Sequence, residues 1–214
     1  DRKFDDGDYI LFYGRSPNWW TYSPSNRKYF HNINHYSTSN YYYLTYGGID
    51  GRRIGTVPSI NNGNLTPELS FTEKMFDEPE VNNLGSTGIR WVSQRISLGE
   101  SFAFNKSLYG IIDGSLIKFR LKIGNSYTLA DANFELKDGN SYNSVYCVRA
   151  NQGSFEHINF KGCSVDDTYI EDSYSLPIGT NTFNFQVNLS RQLNTANIDA
   201  YYDYLDVFYQ RSFG

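Results

Sequence analysis

The chain's 214 residues are enough to bury a full core within one domain, and 39% hydrophobic against 20% charged content excludes a disordered polypeptide. A formal net charge of −4 with no basic block excludes the usual electrostatic footprint of a nucleic-acid binder. No apolar run approaches the ~18 residues a membrane span needs, and no signal peptide is visible; the abrupt start at DRKFDDGDY fits either a mature chain whose leader has been removed or a chain trimmed at that point.

The aromatic share is high, 17%, carried by 19 Tyr and 15 Phe, and these residues favour pleated, half-buried surfaces. In chain order, strands are expected at Tyr9–Tyr13, Tyr41–Tyr46, Arg53–Val57, Gly88–Ser97 and Ser101–Phe104. The next is IKFRLKI, with Ile117, Phe119, Leu121 and Ile123 inward and Lys118, Arg120 and Lys122 on a wet face. Phe134–Leu136, Val145–Ala150 and His157–Phe160 follow. In TFNFQVNLS, Phe183, Phe185, Val187 and Leu189 alternate with polar neighbours, and Tyr201–Gln210 closes the series. Between them Asp6-Gly7, Gly47-Gly48, Asp113-Gly114 and similar pairs reach positive φ cheaply and mark tight turns. Only Pro67–Phe76 suggests a short helix or turn. The pattern predicts an all-β protein, a β-sandwich or jelly roll, over a single domain 1–214 with elaborated early loops.

Catalytic motifs are missing: the sequence has no phosphate-cradling loop, no nucleophile elbow and no HExxH. The acid pairs Asp166-Asp167, Glu171-Asp172 and Asp203/Asp206 read as solvated charges. Asp203 and Asp206 have opposite parity and would face opposite sides of a regular strand. His31 and His35 share a face if extended, and with His157 they offer three imidazoles to zinc; solvated polar histidines are the plainer alternative. Cys147 and Cys163 lie in strand-like segments whose spacing suits a cross-strand disulfide, two buried free thiols being the alternative.

The early aromatic segments carry the functional signal. In PNWWTY, Pro17 and Pro24 argue against a central strand, and adjacent Trp19 and Trp20 point to opposite sides of any extended chain. One tryptophan should anchor the segment while the other, with Tyr22, meets a partner. By the same parity Tyr41 and Tyr43 share a face that Tyr42 opposes. A flat ring beside Asn and backbone groups is what a sugar needs, its C–H face stacking while its hydroxyls find polar partners. The candidate ligand-binding set is Trp19, Trp20, Tyr22, Tyr29, Asn40, Tyr41, Tyr42 and Tyr43.

In layout, the segments GIRWVSQRISLGESFAF (Gly88–Phe104), IKFRLKIGNSYTLADANFEL (Ile117–Leu136), VYCVRANQGSFEHINFKGCSV (Val145–Val165) and the terminal YYDYLDVFYQRSFG resemble the N-terminal receptor-binding (lectin) domain of a bacterial chaperone–usher fimbrial tip adhesin. The resemblance implies the elongated, immunoglobulin-like form of the jelly roll, in a non-enzymatic, cofactor-free domain at the extracellular fimbrial tip, secreted through the periplasm. Such a domain is a monomer that binds a host glycan or glycoprotein receptor and joins the fibre's other subunits through a following pilin domain. Some members hold zinc through three histidines, which lends weight to His31, His35 and His157. The competing expectations are a phage or capsid receptor-binding or structural module, which would be trimeric, and a carbohydrate-active enzyme.

Overall fold

The computed structural model describes residues 5–45, 47–48, 55–58, 63, 66–83, 91–93, 95–125, 132–138, 143–148, 170–192 and 200–214. The chain divides into two compact units, Asp1–Leu65 and Thr66–Gly214. Every described element is a strand, and no helix occurs among the described residues.

The first unit is built on one antiparallel hairpin, β1 (Trp19–Ser23) and β2 (Lys28–Asn32). It turns through Pro24–Arg27, where Arg27 adopts φ 53°, the left-handed conformation a tight turn demands.

The second unit contains β3 (Ser70–Asp77), β4 (Asn82–Asn83), β5 (Trp91–Val92), β6 (Arg95–Ile96), β7 (Ser101–Ser107), β8 (Leu116–Asn125) and β9 (Ala132–Lys137). It continues with β10 (Asn143–Val148), β11 (Ile170–Ser175), β12 (Thr182–Gln192) and β13 (Ala200–Ser212). One sheet has the order β11-β8-β13-β3, with β6 pairing the start of β13; the other has the order β10-β9-β12-β7. The long strands alternate between the two sheets along the chain, with β9 and β10 as the exception. This is the connectivity of an eight-stranded jelly roll. The expected all-β sandwich is therefore present.

Its core follows from the period-two runs. Ile117, Phe119, Leu121 and Ile123 of β8 face Phe183, Phe185, Val187 and Leu189 of β12, and all eight are buried. Rings bridge the two sheets: Phe119 lies 5.0 Å from Phe185, and Phe104 of β7 lies 4.7 Å from Tyr202 of β13. Each fully buried Phe contributes on the order of 1.5–3 kcal/mol by leaving water, so this double layer dominates the stability of the unit.

Several expected elements differ. Pro67–Phe76 is no helix: its second half is the edge strand β3, paired with β13 in the register Met75↔Val207. Tyr9–Tyr13 and the described part of Tyr41–Tyr46 form no strand. YILFY and YYYL lack polar alternation, and their side chains are exposed, so no buried face holds them in a ladder. Gly55–Val57, the described part of Arg53–Val57, likewise forms no strand, and among the described residues of Gly88–Ser97 the paired ones are Trp91–Val92 and Arg95–Ile96. The expected strand His157–Phe160, together with Asp166-Asp167, His157 and Cys163, lies outside the described residues, and so does the predicted disulfide. Cys147 falls on β10.

The outer face of the β8 sheet is drier than its alternation suggests. Arg120 points outward as expected, yet it is 2% exposed, and Asp206 is 0% exposed. Arg120 Nη1 donates to Asp206 Oδ2 at 3.1 Å, and its Nε donates to Glu171 Oε1 at 3.1 Å. Lys122 Nζ pairs with Asp203 Oδ2 at 2.7 Å. Asp203 and Asp206 thus share the outward face with Arg120 and Lys122, contrary to their parity. The register shift between Tyr202 and Tyr204 inserts an extra residue and turns Asp203 to the same side. The expectation of solvated acids fails for Asp206, because a charge at that position needs a buried partner.

Candidate functional site

The aromatic candidates all lie in the first unit, and the hairpin register sorts them. β1 and β2 pair Trp19↔Asn32, Trp20↔His31, Thr21↔Phe30 and Tyr22↔Tyr29. Strand parity puts Trp20, Tyr22, Tyr29 and His31 on one face and Trp19, Thr21, Phe30 and Asn32 on the other.

On the first face the rings pack on each other across the strands. Trp20 meets His31 edge-on at 5.7 Å, and Tyr22 meets Tyr29 at 4.9 Å. Cross-strand aromatic pairs of this kind contribute roughly 0.2–1 kcal/mol each, which a two-stranded sheet needs because it has little other burial. Trp20 is half-buried, and it is the tryptophan that anchors the hairpin.

Trp19 is the tryptophan left outward, 40% exposed. The Arg15 guanidinium sits over its ring, 5.6 Å from the centroid. Asn32 braces the same face from below: its Nδ2 donates to Thr21 Oγ1 at 2.9 Å and to the Trp19 carbonyl at 3.3 Å.

Asn40 and Tyr42 belong to a clamp. Asn40 Nδ2 donates to the Arg15 carbonyl at 2.7 Å, and the Tyr42 hydroxyl donates to the same oxygen at 2.6 Å. Tyr42 also leans on Phe12 at 6.0 Å, and its ring passes so close to Gly14 that a Cβ there would meet it at 3.1 Å. A side chain at Gly14 would require that ring to give by a few tenths of an ångström. Tyr41 and Tyr43, of opposite parity, stand 80% and 92% exposed. Tyr42 is therefore the packed tyrosine of the three, and Tyr41 and Tyr43 are the presented ones.

His31 packs on Trp20 and His35 is exposed, while His157, the third of the set, lies outside the described residues. No group of three His, Cys, Asp or Glu side chains among the described residues stands ready to hold a metal. Sequence reasoning missed Arg15. Its signal was present in RSPNWW, a cation four residues before an exposed ring, but only the loop's path brings the two together. The exposed run Tyr9–Tyr13, read as a strand, also belongs to this surface through Phe12 and Gly14.

No protein-family model matches the chain, and no curated protein matches it. Among solved structures, the crystal structure of dimeric latent PorU from Porphyromonas gingivalis superposes with a TM-score of 0.59 and 16% identity. The match covers 92% of this chain and 18% of that one, so the chain spans about a fifth of the PorU chain's length. At that identity the likeness concerns the fold alone. The CBM36-1 domain of a multidomain xylanase from the hindgut metagenome of Trinervitermes trinervoides matches 63% of this chain and 96% of its own, at 13% identity. Its TM-score of 0.36 is too low to carry an argument.

Proposed function

We propose that the chain is a non-catalytic recognition module that binds glycan through the aromatic surface of its first unit. The observation that carries the reading is the exposed Trp19 ring, in the same unit as the outward Tyr41 and Tyr43 and in a segment otherwise rich in Asn and Ser. Trp19 offers a flat face to the C–H side of a pyranose. Its indole N–H and the Tyr41 and Tyr43 hydroxyls, which have no hydrogen-bond partner among the described residues, are available to sugar hydroxyls. A binding rather than catalytic role is also supported by the acids of the β8 sheet face: Glu171 and Asp206 are held by Arg120, and Asp203 by Lys122. In its finer form the proposal is the receptor-binding domain of a fimbrial tip adhesin, monomeric, extracellular and attached to its fibre through a further domain.

A second reading has its own observation. The same fold over 92% of this chain makes up 18% of a PorU chain described as dimeric and latent. On that reading the module is one domain of a longer protein, and its exposed aromatic segments contact protein, either the rest of that polypeptide or a second copy. One pair of measurements separates the two. A glycan array should show binding that Trp19→Ala abolishes and Trp20→Phe preserves, while light scattering gives a monomer. An array without signal, together with a dimer that Tyr41→Ser/Tyr43→Ser dissociates, would establish the protein-contact reading instead.

A further inference from the structure

The geometry points to an anionic saccharide as the ligand of this surface: a sugar whose carboxylate or sulfate is taken by Arg15 while its ring stacks on Trp19. The inference rests on the glycan-binding reading and adds the charge of the ligand.

Local charge comes first. From Tyr9 to Gly48 the sequence contains no Asp or Glu, and its fixed charges are Arg15, Arg27 and Lys28. A protein with a net charge of −4 therefore carries a stretch of purely positive charge at its most aromatic region. Lys28 lies on the Trp19 face of the hairpin by register, through Ser23↔Lys28.

Arg15 itself is the second observation. It is exposed, and among the described residues its guanidinium has no carboxylate partner and sits over the Trp19 ring. The planar fork can donate two parallel hydrogen bonds to a carboxylate or sulfate while its flat side rests on the indole.

The segment that carries it is held unusually well for an exposed loop. Asn40 and Tyr42 both grip the Arg15 carbonyl, at 2.7 and 2.6 Å. Asn18 N–H donates to Ser16 Oγ at 3.3 Å, and Asn18 Oδ1 accepts from Asn34 N–H at 2.9 Å. Two sides of the Arg15–Trp19 segment are thus tied to the 34–42 segment. A fixed backbone lowers the ordering cost of binding, and it sets the distance between cation and ring that an acidic sugar must span. Asn40 and Tyr42 act here as positioning residues and do not touch the ligand.

The test is titration of the full chain against matched probes: 3′-sialyllactose and 3′-sulfolactose, each against lactose, at low and at physiological salt. The expected result is at least tenfold preference for one or both anionic probes, reduced by salt. Arg15→Gln should remove that preference and leave residual binding equal to that of lactose. Arg15→Lys should keep part of it, and Trp19→Ala should lose all binding. Asn40→Ala should weaken the anionic probes several-fold with circular dichroism unchanged. Equal affinity for charged and neutral probes, or an Arg15→Gln variant indistinguishable from the parent, would overturn the anionic assignment while leaving glycan binding intact. Binding of no saccharide, on these probes and a broad array, would overturn the underlying reading.

Discussion

The two units use the same residue types in opposite ways. In Thr66–Gly214, Phe104, Phe119, Phe183, Phe185 and Tyr202 are sealed between two sheets. Among the described residues of Asp1–Leu65, Tyr9, Tyr13, Tyr36, Tyr41 and Tyr43 stand in water, and the rings that pack do so in pairs: Trp20 on His31 and Tyr22 on Tyr29 across the hairpin, and Tyr42 on Phe12 in the loops. The difference shows that an aromatic residue's role is decided by whether a second layer exists to cover it. Two facing sheets turn Phe and Tyr into core, whereas a lone hairpin with tied loops leaves them as surface. Stability should therefore be concentrated in the second unit and recognition in the first.

The largest effect that would break this comparison is in the core. Phe185→Ala should cost about 3–5 kcal/mol, because the lost ring leaves a cavity between β8 and β12 that neighbouring side chains only partly fill. A denaturant melt checks it, and a loss below about 1 kcal/mol would mean the sandwich is not the stabilising unit.

Next comes the charge cluster on the β8 sheet. Asp206→Ala takes the fully buried carboxylate away from the buried Arg120, which should cost about 3 kcal/mol. Replacing Glu171, the exposed partner, should cost well under half of that. Equal losses in the two melts would mean that Asp206 is not the partner that matters.

A smaller effect is pH-dependent. Burial, and then the hydrogen bond it donates to Asp77, pushes the Tyr202 phenol above the ordinary tyrosine range. The folded state holds that proton more tightly than the unfolded chain, so the contribution is fully present below the unfolded value, near 10. It is lost as pH climbs from there towards the folded value. Thermal melts should fall steeply above about pH 10. Tyr202→Phe should lose about 1 kcal/mol at neutral pH and flatten that alkaline limb. An unchanged limb would show that another group controls it.

The smallest stability change belongs to the first unit. Trp19→Ala should move the melt by no more than about 0.5 kcal/mol, while removing ligand binding. A large destabilisation would show Trp19 to be structural and would erase the contrast between the units.

The core was legible because period-two alternation is a direct consequence of strand geometry. IKFRLKI and TFNFQVNLS each named their buried residues, since a two-layer sandwich has one dry side. The edge strand β3 was misread: SFTEKMFD alternates weakly, because it is paired on only one side among the described residues. Parity also told Tyr42 from Tyr41 and Tyr43, and separated Trp19 from Trp20, as any extended backbone would.

What parity leaves open is which side is covered, and there only the tertiary structure decides. Trp20 becomes the anchor because His31 lies opposite it in register, a partner set by where the hairpin turns at Arg27. Arg15 reaches Trp19 because Asn40 and Tyr42, distant in sequence, hold its carbonyl. Asp203 joins Asp206 on one face because a bulge in β13 adds a residue that no local pattern announces. Sequence by itself determined the inward sides of the strongly alternating strands β8 and β12, which depend on neighbours two residues apart. Long-range pairing determined which outward groups are buried and which polar groups converge, because those energies arise between segments that meet only in the fold.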